Sequence, residues 1–106
     1  MVDDFRPLEG LVQQYIADVK AVYPVDKIYL YGSYAHGTPH QDSDVDLCFF
    51  SPAFENISHL DALIALHQLK CKYDKDIYIE PNGFATSDLT TGNPFVEEVL
   101  RTGIEL

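Results

Sequence analysis

Basic residues are scarce in this chain. Seven lysines and arginines stand against 17 aspartates and glutamates, a net charge of −10 with the histidines neutral. A surface of that sign repels phosphate backbones and anionic lipid, which argues against direct nucleic-acid binding. A divalent cation could still bring one polyphosphate to such a protein by offsetting local charge. Cysteine is nearly absent: Cys48 and Cys71 give no disulfide framework and are expected as two reduced thiols of a cytoplasmic protein. Cys48 lies in an apolar run and is expected to pack as a small hydrophobe. No apolar run approaches the ~18 residues of a membrane span. Met1 to Pro7 is acidic and has no apolar stretch, unlike a secretory signal. Repeats and low-complexity tracts are also missing.

What remains is ordinary globular material. The 106 residues, 46% of them hydrophobic, are expected to form one domain spanning 1–106 with a single core. Apolar residues recur at helical spacing from Pro7 to Tyr23, with Pro7 suited to a first turn and Pro24 as a stop. Val25 to Tyr31 reads as a strand that ends at Gly32-Ser33. Asp44 to Phe50 reads as a second strand, with Asp44, Asp46, Cys48 and Phe50 on one face and Val45, Leu47 and Phe49 on the other. Ser58 caps an expected helix to about Cys71, with Leu60, Leu63, Ile64 and Leu66 as its apolar surface. Tyr73 to Glu80 reads as a third strand and Pro81-Asn82-Gly83 as a turn. A last helix opens with Asn93 as cap and Pro94 in the first turn, turns Phe95, Val96, Val99 and Leu100 inward, and closes at Gly103 as a C-terminal cap. The class is α/β (α+β): a small mixed sheet of three or more strands with helices against it.

The chemistry concentrates in Gly32-Ser33, then ten residues, then Asp44-Val45-Asp46. A glycine after a strand lets the backbone turn sharply and approach a ligand. Ser33 offers a hydroxyl and neighbouring N–H groups for phosphate oxygens. Asp44 and Asp46 are two apart on a strand, so both point one way with Cα atoms roughly 6.6 Å apart. Carboxylates on that base can converge on a pair of hard cations ~3.5–4 Å apart, and magnesium suits carboxylates plus phosphate oxygens. Without a cation the pair repels itself. The third strand adds Asp74, Asp76 and Glu80 on one face, but Asp76 and Glu80 are about 13 Å apart along an extended strand and cannot both complete one metal pair.

Other patterns are weaker. Asp42-x-Asp44-x-Asp46 opens like a calcium loop, but Leu47 stands where a glycine is required and Ala53 where a glutamate is. His36 and His40 lack the further ligands of a zinc site and read as exposed loop residues. His59 and His67 read as surface or packing residues of the middle helix. The tyrosines of the strands read as core or half-buried. Lys70, Lys72 and Lys75 read as solvated edge guards.

Gly32-Ser33-x10-Asp44-x-Asp46, within Gly-Ser-Tyr-Ala-His-Gly-Thr-Pro and Asp42-Ser43-Asp44-Val45-Asp46-Leu47, resembles the signature of the minimal nucleotidyltransferases of the DNA polymerase β-like superfamily. The likeness covers about residues 8 to 80 in layout, and the tail from Ile79-Glu80-Pro81 through Asn93-Pro94-Phe95-Val96 to Ile104 is similar to one branch. It implies the polymerase β-like fold and transfer of a nucleoside monophosphate, AMP from ATP by preference, to a hydroxyl with pyrophosphate leaving. It further implies two Mg²⁺ held by Asp44, Asp46 and a third carboxylate, and a triphosphate held by Gly32 and Ser33. Asp76 is the first choice for that third carboxylate, because the family places an aspartate early in this strand, with Glu80 second and Asp74 third.

Stand-alone relatives of this size are often antitoxins that modify a helical HEPN-type toxin with AMP, and the acidic surface suits a basic, RNA-acting partner. A non-catalytic module that neutralises its partner by occlusion is the competing reading. A small-molecule transferase ranks last, for want of a second, acceptor-binding domain. The apolar end, Ile104 to Leu106, could pair at a sheet edge or in a homo-oligomer.

Overall fold

The computed structural model describes residues 9–32, 45–73 and 78–106. A mixed four-stranded sheet is covered by helices on both faces, the class expected from the sequence. The strands are β1 (Lys27–Tyr31), β2 (Val45–Ser51), β3 (Ile79–Ala85) and β4 (Ile104–Glu105), and the helices are α1 (Glu9–Val22), α2 (His59–Lys70) and α3 (Pro94–Thr102). Strand order is β3-β2-β1-β4. β1 is antiparallel to both β2 and β4, and β2 is parallel to β3. A parallel pair needs a crossover, and α2 supplies it.

The alternation in β2 divides the interior as its sequence implies. Val45, Leu47 and Phe49 join α1 and α2 in the larger cluster, whereas Cys48 and Phe50 face α3 with Val96 and Val99. In the larger cluster the fully buried Tyr15 meets Phe49 and Tyr73 edge-on at 5.8 and 6.0 Å. Its hydroxyl donates to the Leu66 carbonyl at 2.9 Å, tying α1 to α2 and satisfying a polar atom that would otherwise be buried at a cost. Caps behave as their chemistry dictates. Ser58 Oγ accepts from Asp61 N–H, and Asn93 Oδ1 accepts from the N–H groups of Phe95 and Val96.

Several expectations are corrected. The third strand starts at Ile79, and Pro81-Asn82-Gly83 lies inside it rather than forming a turn. The Val45 N–H donates to the Tyr78 carbonyl. In a parallel ladder the even-numbered residues of β3 therefore bond toward β2, and the odd-numbered ones point to the free edge. Pro81 faces that edge, so its missing N–H breaks no ladder bond. Gly83 is where α2 lies closest. A Cβ there would stand 2.8 Å from Leu66 Cδ1 and 2.9 Å from Phe54 Cε2.

Gly103 caps α3 as expected, in extended backbone (φ −82°, ψ 169°), with its N–H donating to the Val99 carbonyl at 2.7 Å. Its lack of a Cβ matters because one would meet Val99 O at 2.6 Å. Leu60 and Ile64 are 62% and 48% exposed, so α2 buries only Ala62 and Leu66 in full. Tyr78 is exposed rather than packed, and Phe95 is 41% exposed rather than facing fully inward. Ile104 pairs with Leu30 of β1 in the same chain, which realises the sheet-edge expectation for the apolar end.

Candidate active site

Three chain segments meet at one end of the sheet. β1 runs out at Tyr31, while β2 and β3 begin there. The register sets Tyr31 beside Asp46, and Asp46 beside Glu80. Paired residues on neighbouring strands share a face, so all three project from the side opposite α1 and α2. Gly32 follows immediately, with φ +73°. Only a residue without a Cβ adopts that conformation at no steric cost.

Space demands the same residue. A Cβ on Gly32 would collide with Asp46 Oδ2 and come within 3.0 Å of Asp46 Cγ. The Asp46 carboxylate therefore lies directly against the backbone of the turn that sequence reasoning singled out. Gly32 and Asp46, 14 residues apart in the chain, are brought together as the motif requires. Glu80, the second choice for the third carboxylate, is brought beside them. Ser33, Asp44, Asp74 and Asp76 lie outside the described residues.

The donor set suits a hard divalent cation. Asp46 and Glu80 are carboxylates on adjacent strands, one half-buried and one exposed. Like charges in register oppose one another until a cation lies between them. The glycine turn leaves backbone approachable on the same side, where phosphate oxygens could complete the coordination. Among the described residues, no group of three or more His, Cys, Asp or Glu side chains is gathered for a metal.

Sequence reasoning missed a polar and aromatic group behind the carboxylates. Asn82 Nδ2 donates to the Tyr31 hydroxyl at 2.6 Å, and Phe95 meets the Tyr31 ring edge-on at 5.6 Å and 89°. Burial, above all, pushes the Tyr31 phenol well above its ordinary pKa. The nearby Asp46 and Glu80 carboxylates add to that, and the Asn82 hydrogen bond opposes it. Tyr31 is thus a neutral phenol at physiological pH. One signal was present in the sequence: Tyr31 and Asp46 are same-face partners once the strand ending at Gly32 pairs with the next. Asn82 was hidden by its place between proline and glycine. Cys48, at the centre of this face, is fully buried, and burial pushes its thiol up to about 12, so it is no nucleophile.

Among the described residues, His59 and Lys72 are packing or surface groups. His59 stacks on Phe84 at 4.7 Å and shares a hydrogen bond with the Gly83 carbonyl. Lys72 pairs with Asp18 at 2.9 Å, on the α1–α2 side of the sheet. His36, His40 and Lys75 lie outside the described residues. A groove of about 510 Å³ between α1 and α2, lined by Asp18, Val22, Leu69 and Lys72 among others, also lies on that side and not on the carboxylate side.

The sequence profile of the nucleotidyltransferase domain family matches residues 12–97. No curated protein matches the chain. A crystal structure from Sulfolobus solfataricus, provisionally assigned as a nucleotidyltransferase, superimposes with a TM-score of 0.63 at 15% identity, over 91% of this chain and 76% of that one. A chain from the crystal structure of a mutant toxin–antitoxin pair, MntA–HpeT, superimposes with a TM-score of 0.56 at 21% identity, over 89% of this chain and 69% of that one. At these identities the two structures establish a shared fold.

Proposed function

This chain belongs to the nucleotidyltransferase domain family, and on that premise we propose that it transfers AMP from ATP to a hydroxyl on a partner protein, with Mg²⁺ as cofactor. The observation that carries the reading is the seating of the Asp46 carboxylate against the Gly32 turn, with Glu80 in register beside it. That arrangement would set a cation-holding group next to a phosphate-holding one, which nucleotidyl transfer requires.

In this reading Gly32 and Ser33 hold the triphosphate, and Asp44 and Asp46 hold the cations. A third carboxylate, Asp76 or Glu80, takes the proton of the acceptor hydroxyl. The register of Asp46 with Glu80 favours Glu80, while the family resemblance favours Asp76. The acceptor oxygen forms a bond to the α-phosphorus as the α–β phosphoanhydride bond breaks, and pyrophosphate leaves with its electron pair. Bound magnesium would neutralise triphosphate charge and the charge that builds on the leaving group. The protein's share is positioning and electrostatics rather than covalent chemistry.

In this reading the partner is a helical HEPN-type toxin and the chain acts as its antitoxin; structural likeness to a member of a toxin–antitoxin pair supports a protein acceptor. The net charge of −10 suits a basic partner.

The test is intact-mass spectrometry of a small helical protein encoded beside this gene, after incubation with this chain, ATP and Mg²⁺. The expected result is a mass gain of one or more AMP units, absent for Asp46→Asn. Unmodified partner that is neutralised equally well by wild type and Asp46→Asn would replace transfer by occlusion. Comparing Glu80→Gln with Asp76→Asn identifies the third carboxylate by which one abolishes the gain.

A further inference from the structure

Tyr31 and Asn82 make an unusual bond for a sheet. They sit on β1 and β3, the two strands flanking β2, in adjacent rows of the register. One row reads Tyr31–Asp46–Glu80 and the other Tyr29–Cys48–Asn82. Neighbouring strands are about 4.8 Å apart, so the two backbones stand roughly 9.6 Å from one another across β2. Their side chains nevertheless meet at 2.6 Å. The bond spans β2 because Cys48, a small and fully buried residue, occupies the intervening position on that face. Phe95 at the start of α3 fixes the Tyr31 ring from the other side.

Packing alone does not call for this pair. Asparagine is a poor strand residue, and here it lies on the face of an aromatic cluster that includes Phe50 and Phe84. The bond does connect the strand that leads into the Gly32 turn with the strand that carries Glu80, and it closes beside Asp46. We propose that Tyr31 and Asn82 are positioning residues that clamp β1 and β3 across β2 and so pre-set the spacing between the Gly32 turn, Asp46 and Glu80 for a metal-bound nucleotide. The proposal rests on the nucleotidyltransferase reading of this site and deepens it.

The experiment measures, by calorimetry, the protein's affinity for the pre-formed Mn²⁺ complex of a non-hydrolysable ATP analogue, with the free complex titrated into buffer as the blank. Wild type, Tyr31→Phe, Asn82→Ala and the double variant are compared, alongside their melting temperatures without ligand. Tyr31→Phe keeps the ring and removes only the hydroxyl. Residues that orient metal ligands from behind typically change affinity 10- to 100-fold. Each single variant is therefore expected to weaken binding of the Mn²⁺ complex about tenfold, and the double variant no further, because one bond is lost in all three. A purely structural pair would lower the melting temperatures and leave affinity for the Mn²⁺ complex unchanged, which overturns the clamp while wild-type binding stands. Additive losses in the double variant overturn it too. Wild type that does not bind the Mn²⁺ complex of the analogue removes the nucleotidyltransferase reading itself, and the clamp with it.

Discussion

The two faces of the sheet are built for different purposes. On one, Val45, Leu47 and Phe49 meet α1 and α2 in a cluster that also holds Tyr15, Leu30 and Leu66, all fully buried. The deep hydroxyl of Tyr15 is satisfied by a carbonyl. On the other, α3 covers only part of the surface. Cys48 and Phe50 are closed in, Asn82 stands in register with Cys48, and the end of the sheet beyond carries Tyr31, Asp46 and Glu80, with Phe95 41% exposed. The first face contributes stability through area removed from water and close packing. The second sets two carboxylates, Asp46 and Glu80, in register beside the Gly32 turn. A single alternating strand, β2, contributes to both, and its period of two keeps the functions apart.

The contrast can be broken most forcefully on the packed face. Phe49→Ala should cost about 3–5 kcal/mol, a large part of the stability of a domain this size, as read by urea denaturation. On the open face the change that strikes the site most directly is Gly32→Ala. It forces a side chain into positive φ and into the Asp46 carboxylate, at about 1–3 kcal/mol. It should reduce Mg²⁺–nucleotide binding more than it reduces stability, a difference that calorimetry on the folded variant would expose. Cys48→Leu should cost about 1–3 kcal/mol by overpacking and also obstruct the Tyr31–Asn82 bond. Cys48→Ala should leave nucleotide binding unchanged.

The smallest effect is expected from Asp18→Asn on the α1–α2 side. The Tyr73 hydroxyl, first, and then Lys72 hold the Asp18 carboxyl below its ordinary range. A depressed carboxyl contributes stability above its unfolded pKa, and the contribution is lost as pH falls through the folded value. The variant should therefore melt slightly lower than wild type at neutral pH, and the two should converge in acid. A gap that widened in acid would contradict the assignment.

The sequence made much of this legible where local chemistry and tertiary need agree. The caps at Ser58 and Asn93 and the two faces of β2 follow from residue type and spacing, while a common site for Gly32 and Asp46 is implied by the family resemblance of their motif. It misled where a residue's reason is tertiary. Pro81 and Gly83 read as turn residues, yet one lies on a free edge that asks for no N–H and the other yields space to Leu66 and Phe54. Gly103 is the cap its position implied, and its lack of a Cβ also answers a close approach to the Val99 carbonyl. The Tyr31–Asn82 bond depends on which strands flank β2, and a period within one strand carries no information about that order. Leu60 and Ile64 fit a helical stripe but look outward, since α2 needs only Ala62 and Leu66 to close the core.

The central claim, that the Gly32–Asp46 end of the sheet holds a metal-bound nucleoside triphosphate, is tested most directly by thermal shift. Wild type and Asp46→Asn would be melted with each of four nucleoside triphosphates, with and without Mg²⁺. A ligand at 100 times its dissociation constant adds about 2.7 kcal/mol, worth roughly 10 °C in a domain of this length. The account predicts a Mg²⁺-dependent rise in wild type, largest for ATP, and none in an Asp46→Asn protein that still melts cooperatively. An equal rise in both proteins would contradict it.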